Sequence, residues 1–102
     1  MLSNMRAVQL VRTRIVHSAA AFAEMALWKL PVPIAGSTHA FKYRLAYVVN
    51  SVCVLRYDNE TGKGDHRHFG TEERRYRFTT PEQLLTDFQH DIARWNHENR
   101  DA

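Results

Sequence analysis

The stretch Asp58-Asn59-Glu60-Thr61-Gly62-Lys63-Gly64-Asp65-His66-Arg67-His68 gathers three carboxylates, two histidines, a lysine, an arginine and two glycines into eleven residues. Packing a core does not require that density of acid, base and cation, so chemistry is sought here first; the bland alternative is a solvated, inert hairpin loop. Cleaving a ribose phosphodiester without a metal needs a base for the 2′-hydroxyl proton, an acid for the leaving oxygen and a cation for the charge that grows on phosphorus. Histidine titrates where the first two roles need it, and Lys or Arg supplies the third. His66 and His68 fit base and acid. Lys42, Arg44, Arg56 and Lys63 fit the cations, and Asp58 or Asp65 fits the orienting of an imidazole. His39 could replace either histidine if the fold brings it close, whereas His17, His90 and His97 have no such company.

The same residues invite a metal. In extended chain, residues i and i+2 share a face, so His66 and His68 could reach one ion, with Asp58, Glu60 or Asp65 completing its shell. There is no His-Glu-x-x-His pair, no cysteine cluster and no calcium-loop spacing, and Gly62-Lys63-Gly64 lacks the spacing of a phosphate-binding loop, so neither metal nor other cofactor is assigned.

Several elements must position these groups. Residues Ala7 to Val16 are β-branched and short of helix signals, and read as a strand; Ala21 to Leu30, closed by Pro31-Val32-Pro33, reads as a second. Phe41 to Val49 alternates most clearly, with Tyr43, Leu45, Tyr47 and Val49 on one side and Lys42, Arg44, Ala46 and Val48 on the other. Asn50-Ser51 reads as a two-residue hairpin turn. The return strand Val52 to Asp58 sets Cys53, Leu55 and Tyr57 against Val54, Arg56 and Asp58, which puts Lys42, Arg44, Arg56 and Asp58 on one face. A last short strand is expected at Tyr76-Arg77-Phe78. Thr80-Pro81-Glu82-Gln83 then opens a helix as N-cap, first-turn proline, first-turn acid and capping-box glutamine. Leu84, Leu85, Phe88, Ile92 and Trp95 form its core-facing stripe, and Asn96 to Ala102 are expected to fray. The fold class is α+β: a four- to five-stranded antiparallel meander with one C-terminal amphipathic helix on one face.

A chain of 102 residues, 44% hydrophobic and 11% aromatic, fits one globular domain over 1–102 with its core at about 6–95. No apolar run approaches the ~20 residues of a membrane span, and residues 1–14 do not resemble a signal peptide, though Met5 could be the true start. The lone Cys53 excludes a disulfide framework, suits a reducing compartment and reads as a small buried hydrophobe. The net charge of +3 is uneven: residues 1–56 hold seven Lys/Arg against Glu24 alone, and residues 57–102 hold seven against ten acids. Such a basic half attracts phosphates or an acidic partner, or else keeps an exposed sheet face soluble. Tyr43, Tyr47, Tyr57, Tyr76, Phe69 and Trp28 are read as packing residues rather than base-stacking platforms.

Taken in order, Glu24, Leu27-Trp28-Lys29-Leu30-Pro31, Ser37-Thr38-His39, Lys42-Tyr43-Arg44-Leu45, Arg56-Tyr57-Asp58-Asn59-Glu60, the Gly62-Lys63-Gly64-Asp65-His66-Arg67-His68 run, Tyr76-x-Phe78 and Leu84-Leu85-x-Asp87-Phe88 resemble the TumE family, small toxins of bacterial toxin–antitoxin pairs. The resemblance spans about residues 6–94. It implies a cytoplasmic bacterial protein sequestered by a cognate antitoxin with a helix-turn-helix portion, encoded beside it. Joined to the residue chemistry, it points to a type II toxin that cleaves RNA without a metal. The rivals are a non-catalytic binder of nucleic acid or protein with a basic sheet face, and an inactive interaction module. Homodimerisation stays open.

Overall fold

The computed structural model of the protein describes residues 6–99, so the expectations for the extreme termini, Met1–Met5 and Arg100–Ala102, lie outside the described residues. Six strands follow one another in chain order across a single antiparallel sheet: β1 (Val8–Val16), β2 (Ala21–Lys29), β3 (Phe41–Val49), β4 (Val52–Glu60), β5 (Gly64–Phe69) and β6 (Glu72–Arg75). The helix α1 (Pro81–Asn99) then covers one face. The fold is thus the expected α+β meander with six strands instead of four or five. The polar stretch is not a loop but the β4–β5 hairpin, and Tyr76-Arg77-Phe78 is not a strand. β6 instead falls on Glu72-Glu73-Arg74-Arg75, which has no apolar alternation because it is an exposed edge; charge there discourages pairing with other chains.

Strand alternation divides the sheet into two faces. Ala21, Ala23, Met25 and Leu27 from β2, Tyr43, Leu45 and Tyr47 from β3, and Leu55 and Tyr57 from β4 are buried beneath Leu84, Phe88 and Ile92 of α1. Among the described residues no helix lies over the other face. A bulge between β3 and β4 interrupts the alternation: Tyr47 pairs with Leu55 but Val48 pairs with Cys53, leaving Val54 as the extra residue. This reverses two sequence assignments, since Val54 enters the core while Cys53 is exposed.

The helix begins as its sequence dictates. Thr80 Oγ1 accepts from the Gln83 amide at 3.0 Å, a cap that contributes about 1 kcal/mol. Only half of a capping box forms, because the Gln83 side chain donates to Asp87 at 2.7 Å. Residues 96–99, expected to fray, remain helical, and Asn96 Oδ1 accepts from Tyr47 Oη at 2.7 Å.

Asn50 and Ser51 both take positive φ, 50° and 67°, the geometry of a two-residue hairpin turn that matches strand twist. Ser51 bears the usual cost of a β-carbon in the left-handed region. Ser51→Gly is therefore expected to raise stability by about 0.5–1 kcal/mol, measured as the midpoint shift in denaturant unfolding.

Two core phenols predict the alkaline limit of the fold. Burial, then a hydrogen bond to Asp65, pushes the Tyr43 hydroxyl far above the ordinary phenol range; burial, then Asp91, does the same to Tyr57. The folded state holds these protons more tightly than the unfolded chain, so stability is present in full below about pH 10 and is lost as pH rises beyond it. Tyrosinate absorbance from these residues should appear together with unfolding; a smooth rise at ordinary phenol pH in an intact fold would contradict this.

Candidate functional site

His66 and His68 of β5 point to the open face, and register carries the neighbouring strands with them. Arg44 of β3, Asp58 of β4, His66 of β5 and Arg75 of β6 form one cross-strand row, and Ala46, Arg56, His68 and Glu73 form the next. Arg56, Asp58, Glu60, Lys63, His66, His68 and Glu73 line an open cleft of about 390 Å³.

His68 sits at the centre of its row. Its Nε2 lies 3.0 Å from Arg56 Nη2 and 2.9 Å from Glu73 Oε2. Arg56 can only donate and Glu73 can only accept, so one nitrogen cannot satisfy both. Unprotonated Nε2 takes the hydrogen bond from Arg56, and protonated Nε2 gives its own to Glu73. The site therefore holds a proton-dependent choice of partner. His66 is pinned differently: its Nε2 donates to the Lys63 carbonyl at 2.8 Å, which leaves Nδ1 with the lone pair. That Nδ1 is buried without a hydrogen-bond partner, 3.9 Å from Glu73 Oε2.

The cations and carboxylates pair off around them. Arg56 Nε lies 3.2 Å from Asp58 Oδ2, close enough for an ion pair although misaligned for a hydrogen bond. Lys63 meets Glu60 at 3.4 Å at the exposed hairpin tip, where such a pair contributes little. Lys42 is turned to its own hairpin and donates to the Asn59 carbonyl. Arg44 is exposed and enters no ion pair among the described residues.

Neither Lys42 nor Arg44 lines the cleft, and two further nominated residues lie on the opposite face. Asp65 and His39 are on the helix face, where His39 Nε2 donates to Asp65 Oδ2 at 2.8 Å and Tyr43 Oη donates to the same oxygen at 2.5 Å. His39 Nδ1 accepts from the Phe41 amide and its ring stacks on Phe78 at 4.0 Å, so both nitrogens are occupied. The fold does not bring His39 to His66 or His68, and Asp65 orients His39 rather than either of them. Among the described residues no three His, Cys, Asp or Glu side chains converge as metal ligands. The residue missed is Glu73, the acid that meets His68. Gly70 after Phe69 is the signal for it: a tight turn there sets Phe69 opposite Glu72 and His68 opposite Glu73.

A family model described as toxin TumE matches residues 4–96, nearly the whole chain. The chain belongs to the TumE toxin family. Comparison with curated proteins and with solved structures finds no match. In this TumE chain the dense polar motif has two separate duties, assigned by alternation. Tyr57, Asn59, Asp65 and Arg67 face the helix side and hold the sheet together, while Asp58, Glu60, His66 and His68 face the cleft. Asn59 shows the structural half: fully buried, its Oδ1 accepts from the Tyr43 amide at 3.0 Å and its Nδ2 donates to the Phe41 carbonyl at 2.7 Å. It thereby continues the β3–β4 ladder where the paired register ends at Arg44 and Asp58. The hairpin tip is braced by the 31–40 segment, where a Cβ on Gly36 would meet the Gly62 backbone at 3.1 Å.

Proposed function

We propose that the chain is the toxin of a type II pair, a small metal-independent ribonuclease of the cytoplasm held inactive by a cognate antitoxin. The observation that carries this reading is the placement of His66, His68 and Arg56 around one open cleft, with each imidazole in a different hydrogen-bonding state. His66, whose Nε2–H is fixed by the Lys63 carbonyl, offers Nδ1 as the base once the half-exposed Glu73 side chain swings aside. It takes the 2′-hydroxyl proton, and O2′ attacks phosphorus. Protonated His68, released from Glu73 by the same swing, gives its proton to O5′ as the P–O5′ bond breaks. Arg56 balances the charge on the phosphoryl oxygens, with Lys63 at the cleft edge. The products are a 2′,3′-cyclic phosphate and a free 5′-hydroxyl.

The test is cleavage of end-labelled RNA by purified protein, with and without a chelator. Equal yields and cyclic-phosphate ends are expected. Activity abolished by chelation would replace acid–base chemistry with metal chemistry, and RNA bound but left intact would make the chain a non-catalytic binder. No helix of the described residues is long and apolar enough to cross a membrane, which is compatible with a target in the cytoplasm.

A further inference from the structure

We infer that the open face carries a second binding site, a groove for single-stranded RNA formed by Arg12, Arg14, Trp28 and Arg44. The groove holds about 430 Å³ over β1, β2 and β3. Its shape follows from register: Arg12 of β1 pairs with Ala26 of β2, which pairs with Arg44 of β3, so two long cations stand either side of a methyl group. Trp28, one step along the same face of β2, lines the groove beside them.

Charge selects the occupant. Arg12, Arg14 and Arg44 are exposed, and the acid in the groove is Glu24, 3.8 Å from Arg14 with both side chains more than half exposed, a pairing too weak to cancel the field. Arg12 enters no ion pair among the described residues, and neither does Arg44. Cations that serve only to protect a sheet edge would belong on β1. Arg44 stands two strands further in, and an indole facing the solvent side of the sheet does nothing for solubility. Polyanion contacts beside an aromatic ring are what unpaired RNA uses, because a base must be free of its partner to stack on a side chain.

The groove is continuous with the cleft. The row through Arg12, Ala26 and Arg44 runs on through Asp58 to His66, four strand spacings or about 19 Å from β1 to β5. An RNA strand crossing the β-strands would thus be held by the arginines a few nucleotides from the histidines. This deepens the ribonuclease reading by naming unpaired RNA as its substrate, while binding in the groove does not itself depend on cleavage.

The test measures affinity for a labelled single-stranded RNA across a salt series, using the parent, the double variant Arg12→Ser/Arg14→Ser, Trp28→Ala and Trp28→Phe. The arginine variant should lose at least about tenfold in affinity, and its slope of log affinity on log salt should shrink by about 1.4. Trp28→Ala should lose roughly tenfold with the slope unchanged, and Trp28→Phe should restore most of it. A misfolded variant would not divide salt dependence from stacking in this way. Cleavage of a dinucleotide, too short to reach the groove, should be unchanged in the arginine variant.

Parent-like affinities and slopes in the variants overturn the groove even if the protein cuts RNA. So does a parent that binds no single-stranded RNA, or variants that keep RNA and lose only the antitoxin. A parent that binds with these signatures but cuts nothing leaves the groove standing and removes the ribonuclease.

Discussion

Replacing His66 and His68 together by asparagine should leave a folded protein whose RNA cleavage falls by about 10²–10⁴-fold or more, the range that a positioned acid or base commands. Both rings stand on the helix-free face and make no contact with the core beneath α1. The substitution breaks one bond to the Lys63 carbonyl and the contacts with Arg56 and Glu73, all partly exposed, so the melting temperature should move little. An acid and a base that act in one step are not additive, so each single loss should approach that of the double variant. Growth arrest by the double variant at parental strength would remove both histidines from the mechanism.

The division of the polar motif between two faces was partly legible in the sequence. Adjacent residues of a strand point oppositely, so once His66 and His68 are placed on one face, Asp65 and Arg67 must take the other. Nominating Asp65 to orient either histidine contradicts that alternation, although the metal reading of the same residues already places His66 and His68 on one face of an extended chain. The same parity places Trp28 with Glu24 on the open face of β2 rather than in the core. What a single sequence could not supply is the bulge opposite Tyr47 and Val48, because an extra residue in one strand leaves no mark on either strand's own pattern. It exchanged Cys53 and Val54 while leaving Arg56 and Asp58 on the expected face. The edge strand β6 was invisible for another reason: Glu72 to Arg75 are all exposed, so hydrophobic periodicity had nothing to report. Thr80, by contrast, announced the helix start because its cap is local chemistry.

The largest stability effect should come from Asp91, which is buried on a helix otherwise read as an apolar stripe. Its carboxylate accepts from Tyr57 Oη at 2.6 Å and from Arg67 Nε and Nη2 at 2.6 and 2.8 Å, a two-pronged clasp between α1 and β5. The hydrogen bond to Asp91 drives the Arg67 guanidinium upward in proton affinity, so the cation persists at any accessible pH. Asp91→Leu would strand that cation and a buried phenol, which costs about 3–5 kcal/mol, more than the new leucine contacts return. For a domain of this size the melting temperature should fall by about 15 °C or more.

The partner decides whether this is the right cause. In Asp91→Leu with Arg67→Met the buried charge is gone from both sides, and apolar replacement of a whole ion pair is often close to neutral, so most of the lost stability should return. If the double variant is instead as unstable as Asp91→Leu alone, the loss comes from poor packing around the introduced leucine and the clasp contributes little. Recovery would also bear on the cleft. Arg67 lies between His66 and His68 on β5, so fastening its side chain to α1 helps hold the two imidazoles on the opposite face in register. The double variant should therefore regain stability sooner than it regains full cleavage of RNA.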